Sequence, residues 1–242
     1  MAPLSPEEII FHNAARAGQI EILKANLHKI NINSRDGSGF QQTALHKAVW
    51  DGHIQVVKFL VRNGAEIDAK NQNDATPLYI AAQEGQLDVV KFLIEKGANV
   101  DEKQKDGFTP LHVAAEKRRL EVVKYLTENG ANINAKTNDN KTPLYIAAKN
   151  GHSEVVDYLC RGIKRKAENE ASVPIENWSN KDPCIICLAP RNRIYILLPC
   201  GHASMCEFCC AQMLSKNPQN SKCPSCRKPI ETYKQIFLQV PE

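Results

Sequence analysis

Four hexads, Thr43-Ala44-Leu45-His46-Lys47-Ala48, Thr76-Pro77-Leu78-Tyr79-Ile80-Ala81, Thr109-Pro110-Leu111-His112-Val113-Ala114 and Thr142-Pro143-Leu144-Tyr145-Ile146-Ala147, recur at a constant spacing of 33 residues. A period of that length is one supersecondary unit, too small to bury its apolar face alone, so consecutive units must stack. Each hexad has a local rationale. The threonine hydroxyl can cap the free amides of a starting helix, proline suits the first helical position, and leucine and alanine face the neighbouring unit. A second helix follows each time, with apolar stripes such as Val56-Val57-Phe59-Leu60 and Val89-Val90-Phe92-Leu93. Gly64, Gly97 and Gly130 end it where a left-handed residue is wanted.

The period and the T-P-L-H-x-A pattern resemble the ankyrin repeat. Upstream, "HNAARAGQIEIL" aligns with "HKAVWDGHIQVV" at a slightly longer spacing and without the T-P-L start, as an amino-terminal capping repeat would. The expectation is a mainly α solenoid of about five repeats over residues 1–162. Its departures from pattern carry information. Gly52, Gly85 and Gly151 occupy the turn between paired helices, but the fourth repeat has Arg118 there. A left-handed arginine costs about 1 kcal/mol or more relative to glycine. The last repeat has Ile163 where Gly130 predicts a glycine, then breaks into "IKRKAENEASVP", read as a polar linker over 163–181. Lys164-Arg165-Lys166 reads as a solvated charge cluster in preference to a nuclear signal.

The resemblance implies that this array has no reaction centre and binds other proteins on a concave face built from hairpin tips and first helices. The family's usual contact positions fall on Gln42, Trp50 and Asp51, on Ala75, Gln83 and Glu84, on Phe108, Glu116 and Lys117, and on Lys141, Lys149 and Asn150. Trp50 and Phe108 put large aromatics where polar residues are usual. Each either anchors an interface or folds back over its own helix. His46 and His112 are read as structural hydrogen-bonders of the T-P-L-H turn.

The remainder of the chain is marked by cysteine. Of nine cysteines, eight lie between Cys184 and Cys226, and only Cys160 precedes them. With 43% apolar and 24% charged residues the chain reads as a soluble protein of one or two domains. Met1-Ala2-Pro3-Leu4-Ser5-Pro6-Glu7-Glu8 lacks the basic start and apolar core of a signal peptide, and nowhere do about 18 apolar residues run together. The expectation is therefore a cytoplasmic or nuclear protein without membrane attachment, whose crowded thiols are reduced and bind metal. Cys184 and Cys187, Cys200 and His202, Cys206 and Cys209, and Cys223 and Cys226 form four half-sites, hence eight ligands. Zinc takes four such ligands in a tetrahedron, so the set predicts two closed structural Zn2+ sites per chain with no place for a catalytic water. Thiolates committed to zinc make poor nucleophiles, which removes a Cys-His protease from consideration. Cys160 and Cys210 are spare; Cys210 competes with Cys209, but the two-residue gap from Cys206 matches the other tight pairs. Spacing leaves three ways to pair the half-sites.

The ligand order, three cysteines, one histidine and four cysteines, resembles the RING finger and covers residues 182–242. This small α+β domain implies the interleaved pairing: Cys184, Cys187, Cys206 and Cys209 on one zinc, and Cys200, His202, Cys223 and Cys226 on the other. The metals replace a core that so few residues could hardly supply. RING fingers mostly act as ubiquitin-protein ligases, and the resemblance assigns roles residue by residue. Ile186, Pro224 and Met213, with Leu214 as a further member, match the shallow groove that docks a ubiquitin-conjugating enzyme. Arg227 matches the arginine that bridges this enzyme and its ubiquitin. The tail "TYKQIFLQVPE" alternates as a strand, with Ile236, Leu238 and Val240 on one face and Tyr233 and Phe237 on the other. It resembles the tails of dimeric RINGs of the inhibitor-of-apoptosis type, which implies a homodimer with Phe237 against ubiquitin held by the other protomer. The alternative is that the tail packs on its own domain.

The reading that results is a RING-type ubiquitin-protein ligase whose array binds a protein substrate and whose RING positions a ubiquitin-charged conjugating enzyme. A non-catalytic scaffold of the same two parts is the alternative. Residues 181–242 carry eight Lys or Arg against four Asp or Glu, too modest an excess, and without interleaved aromatics, to indicate nucleic acid.

Overall fold

The computed structural model of the chain describes residues 4–159 and 162, and the backbone of three strands between 194 and 236. The chain divides into two units, Met1–Asn132 and Ile133–Glu242. The first unit is a succession of helix pairs: α1 (Pro6–Arg16) with α2 (Ile20–Asn26), α3 (Ala44–Trp50) with α4 (Ile54–Arg62), α5 (Pro77–Glu84) with α6 (Leu87–Glu95), and α7 (Pro110–Glu116) with α8 (Leu120–Glu128). The hexad threonines are the N-caps. Thr43 Oγ1 accepts from the His46 amide and Thr76 Oγ1 from the Tyr79 amide. Substituting such a cap by alanine typically costs about 1 kcal/mol. Leu45, Leu78 and Leu111 of the first helices and Leu60, Leu93 and Leu126 of the second are fully buried, so the stack shares one continuous apolar row.

The histidines of the T-P-L-H turn bind the repeats together. His46 Nδ1 lies 2.8 Å from Thr43 Oγ1, and its Nε2 donates to the carbonyl of Ala75 at 3.0 Å in the next repeat. Burial holds this imidazole neutral, its pKa lowered to about 4. His12 is the equivalent residue of the capping repeat and is likewise lowered to about 4, by burial and by the charge of Lys47. Its Nε2 meets Ser34 Oγ at 3.2 Å, but its Nδ1 has no hydrogen-bond partner among the described residues. Ile9 stands where Thr43 supplies the hydroxyl, which explains the orphan. The capping repeat instead starts one helical turn earlier, at Ser5, in a capping box with Glu8. Ile10 and Ile22, 47% and 37% exposed, occupy the places of Ala44 and Val56, which are 0% and 1% exposed because an earlier repeat covers them.

The turns between paired helices ask for two things at once. Gly18, Gly52 and Gly85 have φ of 72°, 76° and 79°, and a Cβ on Gly85 would lie 2.6 Å from Arg119 Cδ. The crowding comes from residues that tie each repeat back to the previous one: His53 Nε2 donates to Arg16 O, Gln86 Nε2 to Trp50 O, and Arg119 Nε to Gln83 O. Arg118, at the corresponding turn of the fourth repeat, adopts φ 58°, the left-handed conformation that the glycine pattern requires.

Hairpins join the repeats. Their closing bonds run from Asn71 N to Ala75 O and from Gln104 N to Phe108 O, but from Asp36 N to Gln42 O in the first, which is two residues longer. Neighbouring tips are linked where Gln72 N donates to Phe40 O at 2.9 Å and Lys105 N to Asn73 O at 3.1 Å.

The second unit begins with α9 (Pro143–Lys149), capped by Thr142, and a helix over 153–159 with Val155 and Leu159 fully buried. Ile163 lies outside the described residues. Further on, β1 (Ile194–Leu198) pairs antiparallel with both β2 (His202–Cys206) and β3 (Thr232–Ile236), giving the order β2-β1-β3. A bulge interrupts the β1–β2 ladder between Tyr195 and Ile196. The described part of the tail is thus a strand added to the chain's own sheet, with Ile236 opposite Ile194, and it stands at the sheet's edge. The fold is mainly α with this small sheet, as the repeat pattern and the cysteine-rich segment predict.

Candidate functional site

Hairpins and first helices of the first unit enclose a groove of about 870 Å³. Of the residues chosen from sequence, Gln42, Trp50, Asp51, Ala75 and Gln83 line it. Glu84, Phe108, Glu116 and Lys117 are not among its lining residues. Phe108 packs its ring on His112 of its own helix, with centroids 5.6 Å apart, while Glu116 and Lys117 pair with each other at 3.6 Å. Glu84 accepts from the Gln83 amide. The two aromatics therefore differ: Trp50 is 47% exposed in the groove, and Phe108 lies back over α7. Lys141, Lys149 and Asn150 belong to the second unit.

Among the lining residues that the sequence reading did not choose, three stand out. Phe40, 61% exposed, is carried by the two extra residues of the first hairpin. Its signal was the distance from Asp36 to Thr43, longer than that from Asn71 to Thr76. Tyr79 sits where His46 and His112 sit in their repeats, but its ring lines the groove. Burial, with Glu116 and Asp106 nearby, pushes its hydroxyl up to about 12, so it stays protonated. Arg16, from the capping repeat, pairs with Asp51 at 3.6 Å.

A second ion pair, Lys47 with Asp36 at 3.0 Å, lies deeper, with side chains 15% and 10% exposed. Burial alone would raise the Asp36 carboxyl, but the Ser38 hydroxyl, Lys47 and the Gln42 amide outweigh it and hold it below the usual carboxylate range. The groove therefore presents aromatic surface beside two formed ion pairs. That is the chemistry of protein recognition and holds no nucleophile poised beside a base.

In the second unit, His202 opens β2 and Cys206 closes it, so the sheet orders the backbone of two of the eight ligand-type residues. Cys184, Cys187, Cys200, Cys209, Cys223 and Cys226 lie outside the described residues, as do Ile186, Met213, Pro224, Arg227 and Phe237. The donor set itself fits zinc: seven thiolates and one imidazole are soft to borderline ligands, and they come in a multiple of four.

Comparison with known proteins separates the repeats from the cysteine-rich segment. The ankyrin-repeat family model matches residues 11–104 and 98–169, and the C3HC4-type RING zinc-finger model matches residues 180–233. A RING finger of that type binds zinc. Alpha-latroinsectotoxin-Lt1a of Latrodectus tredecimguttatus is 43% identical over 67 residues, 27% of this chain and 5% of the toxin. The Notch-regulated ankyrin repeat-containing protein of Homo sapiens is 40% identical over 69 residues, 26% of this chain and 59% of that protein. Protein 413R of Invertebrate iridescent virus 6, provisionally named a RING finger protein, is 35% identical over 80 residues, 30% of this chain and 36% of its own length. The chain thus spans less than two thirds of each of these relatives. The match over residues 11–169 and the zinc-finger match that follows it make this chain a member of the ankyrin-repeat family with a C-terminal C3HC4-type RING finger.

Proposed function

We propose that the protein is a RING-type ubiquitin-protein ligase: residues 1–162 capture a protein substrate, 163–181 link, and the RING of 182–242 positions a ubiquitin-charged conjugating enzyme. The observation that carries this reading is the joining, in one chain, of a groove with unsatisfied aromatic surface to a complete C3HC4 ligand set. Two zinc ions hold the RING in the interleaved arrangement, with Cys184, Cys187, Cys206 and Cys209 on one and Cys200, His202, Cys223 and Cys226 on the other. Ile186, Pro224 and Met213 dock the conjugating enzyme, and Arg227 bridges it to ubiquitin. The substrate lysine amine attacks the thioester carbonyl, an isopeptide bond forms, and the conjugating-enzyme thiol leaves. The chain contributes position alone and carries no covalent ubiquitin. A reducing compartment, cytoplasm or nucleus, keeps the ligands as thiolates. The edge position of β3 supports a homodimer through the RING and its tail, with Phe237 acting across it.

The test is reconstitution with activating enzyme, a panel of conjugating enzymes and ubiquitin. Chains that form with the wild type and are lost with Ile186→Ala are expected; no product with any conjugating enzyme would leave the scaffold role in its place.

A further inference from the structure

Two of the groove's three cations are committed to carboxylates, while several of its neutral groups are not engaged within the protein. Its lining carries three cations, Arg16, Lys47 and Lys105, and three carboxylates, Asp36, Asp51 and Asp106. Arg16 is held by Asp51 and Lys47 by Asp36, and Asp106 accepts from the side chain of Gln104. Of the neutral groups, Ser38, Asn71, Gln83 and Gln104 are held by hydrogen bonds within the protein, but others are unspent. Among the described residues the Trp50 indole, the Tyr79 hydroxyl and the side-chain amides of Gln42 and Asn73 make no hydrogen bond, and Phe40 and Trp50 leave their rings open. Specificity is a difference between affinities, so what such a surface rejects matters as much as what it holds. A phosphorylated or acidic segment meets Asp51 beside Arg16 and Asp36 beside Lys47, and a basic one meets the reverse. Either would have to break a formed ion pair or be stripped of water for no net attraction. An uncharged segment breaks no ion pair on entering, gains apolar contact with the two rings, and can replace the water on the indole, hydroxyl and amides with its backbone.

We infer that the groove selects an uncharged segment of its partner protein, one that offers a large apolar side chain between backbone hydrogen-bonding groups. This rests on the reading of the groove as the substrate-capturing surface. Recognition is then independent of phosphorylation and nearly independent of salt.

The experiment is selection of a random peptide-display library against the full chain, followed by binding measurements on the enriched peptides. Enriched sequences should be apolar and neutral. Their affinity should change by less than about two-fold between roughly 0.05 and 0.5 M NaCl, because no ion pair forms that salt can screen. Trp50→Ala or Phe40→Ala should weaken them about ten-fold or more, as the loss of an aromatic anchor does. Asp51→Asn, which frees the exposed Arg16, should shift the selection toward acidic peptides. Charged sequences that depend on Trp50 would overturn the inference while leaving the groove as the capture site. No enrichment, or peptides indifferent to both aromatic substitutions, would overturn the capture site itself and the inference with it.

Discussion

The array and the RING region solve the same problem, holding a short chain in one shape, by opposite means. In the array each structural position is written several times over, and a departure at one repeat is absorbed by its neighbours. Arg118 takes the conformation that glycine takes elsewhere, and Phe40 rides on two extra hairpin residues without disturbing the row of Leu45, Leu78 and Leu111. The RING region has eight ligand-type residues, each present once. Redundancy tolerates error and ligation does not, so the consequences of single substitutions should differ sharply between the two.

The largest expected effect is in the ligand set. Cys209→Ser should lose at least one zinc and abolish ubiquitin transfer, while Cys210→Ser keeps both metals, as read by elemental analysis and by discharge of a charged conjugating enzyme. The helical circular dichroism of the array should persist in Cys209→Ser; its collapse would mean that the two regions fold as one, and the contrast would fail.

Within the array, Leu78→Ala removes a side chain with no exposure and should cost about 2–5 kcal/mol, read from urea unfolding. A loss below about 1 kcal/mol would show that repetition buffers even the core. Acid should act more gently. His46 and His12 have folded pKa values of about 4 against an ordinary 6.5, so the stability gained by keeping them neutral is fully present above about pH 6.5 and is lost as pH falls through about 4. The urea midpoint of the array should decline across that window, and a flat profile would refute the burial argument. The smallest effect is a gain: Arg118→Gly relieves a left-handed side chain and should stabilise by up to about 1 kcal/mol. A destabilised variant would mean that Arg118 contributes contacts worth more than its strain.

These regions also differed in how far they could be read beforehand. The repeat period carried the helices, their threonine caps, the structural role of His46 and the left-handed turn at Arg118, because each depends on local chemistry repeated in register. What it hid were the deviations that shape the groove. Aligning repeats on T-x-L conceals a length change in the preceding hairpin, and so Phe40; treating T-P-L-Y as equivalent to T-P-L-H conceals that Tyr79 lines the groove. Phe108 could not be resolved from sequence, since its contact with His112 depends on a side-chain rotation that no spacing encodes. For the zinc ligands spacing proposes four half-sites, but their pairing is a matter of tertiary path.

The way the hairpin tips are joined makes the array mechanically uneven. Neighbouring tips are tied by backbone hydrogen bonds, Gln72 to Phe40 and Lys105 to Asn73, each worth about 1 kcal/mol net, whereas the helices behind them share a buried apolar row worth several times more. Under tension such a structure yields at its tips first and at its helices last. A pull on captured protein would spread the groove and carry Phe40 away from its grip while the repeats stayed stacked, so the array would let go of its load by stretching, without unfolding.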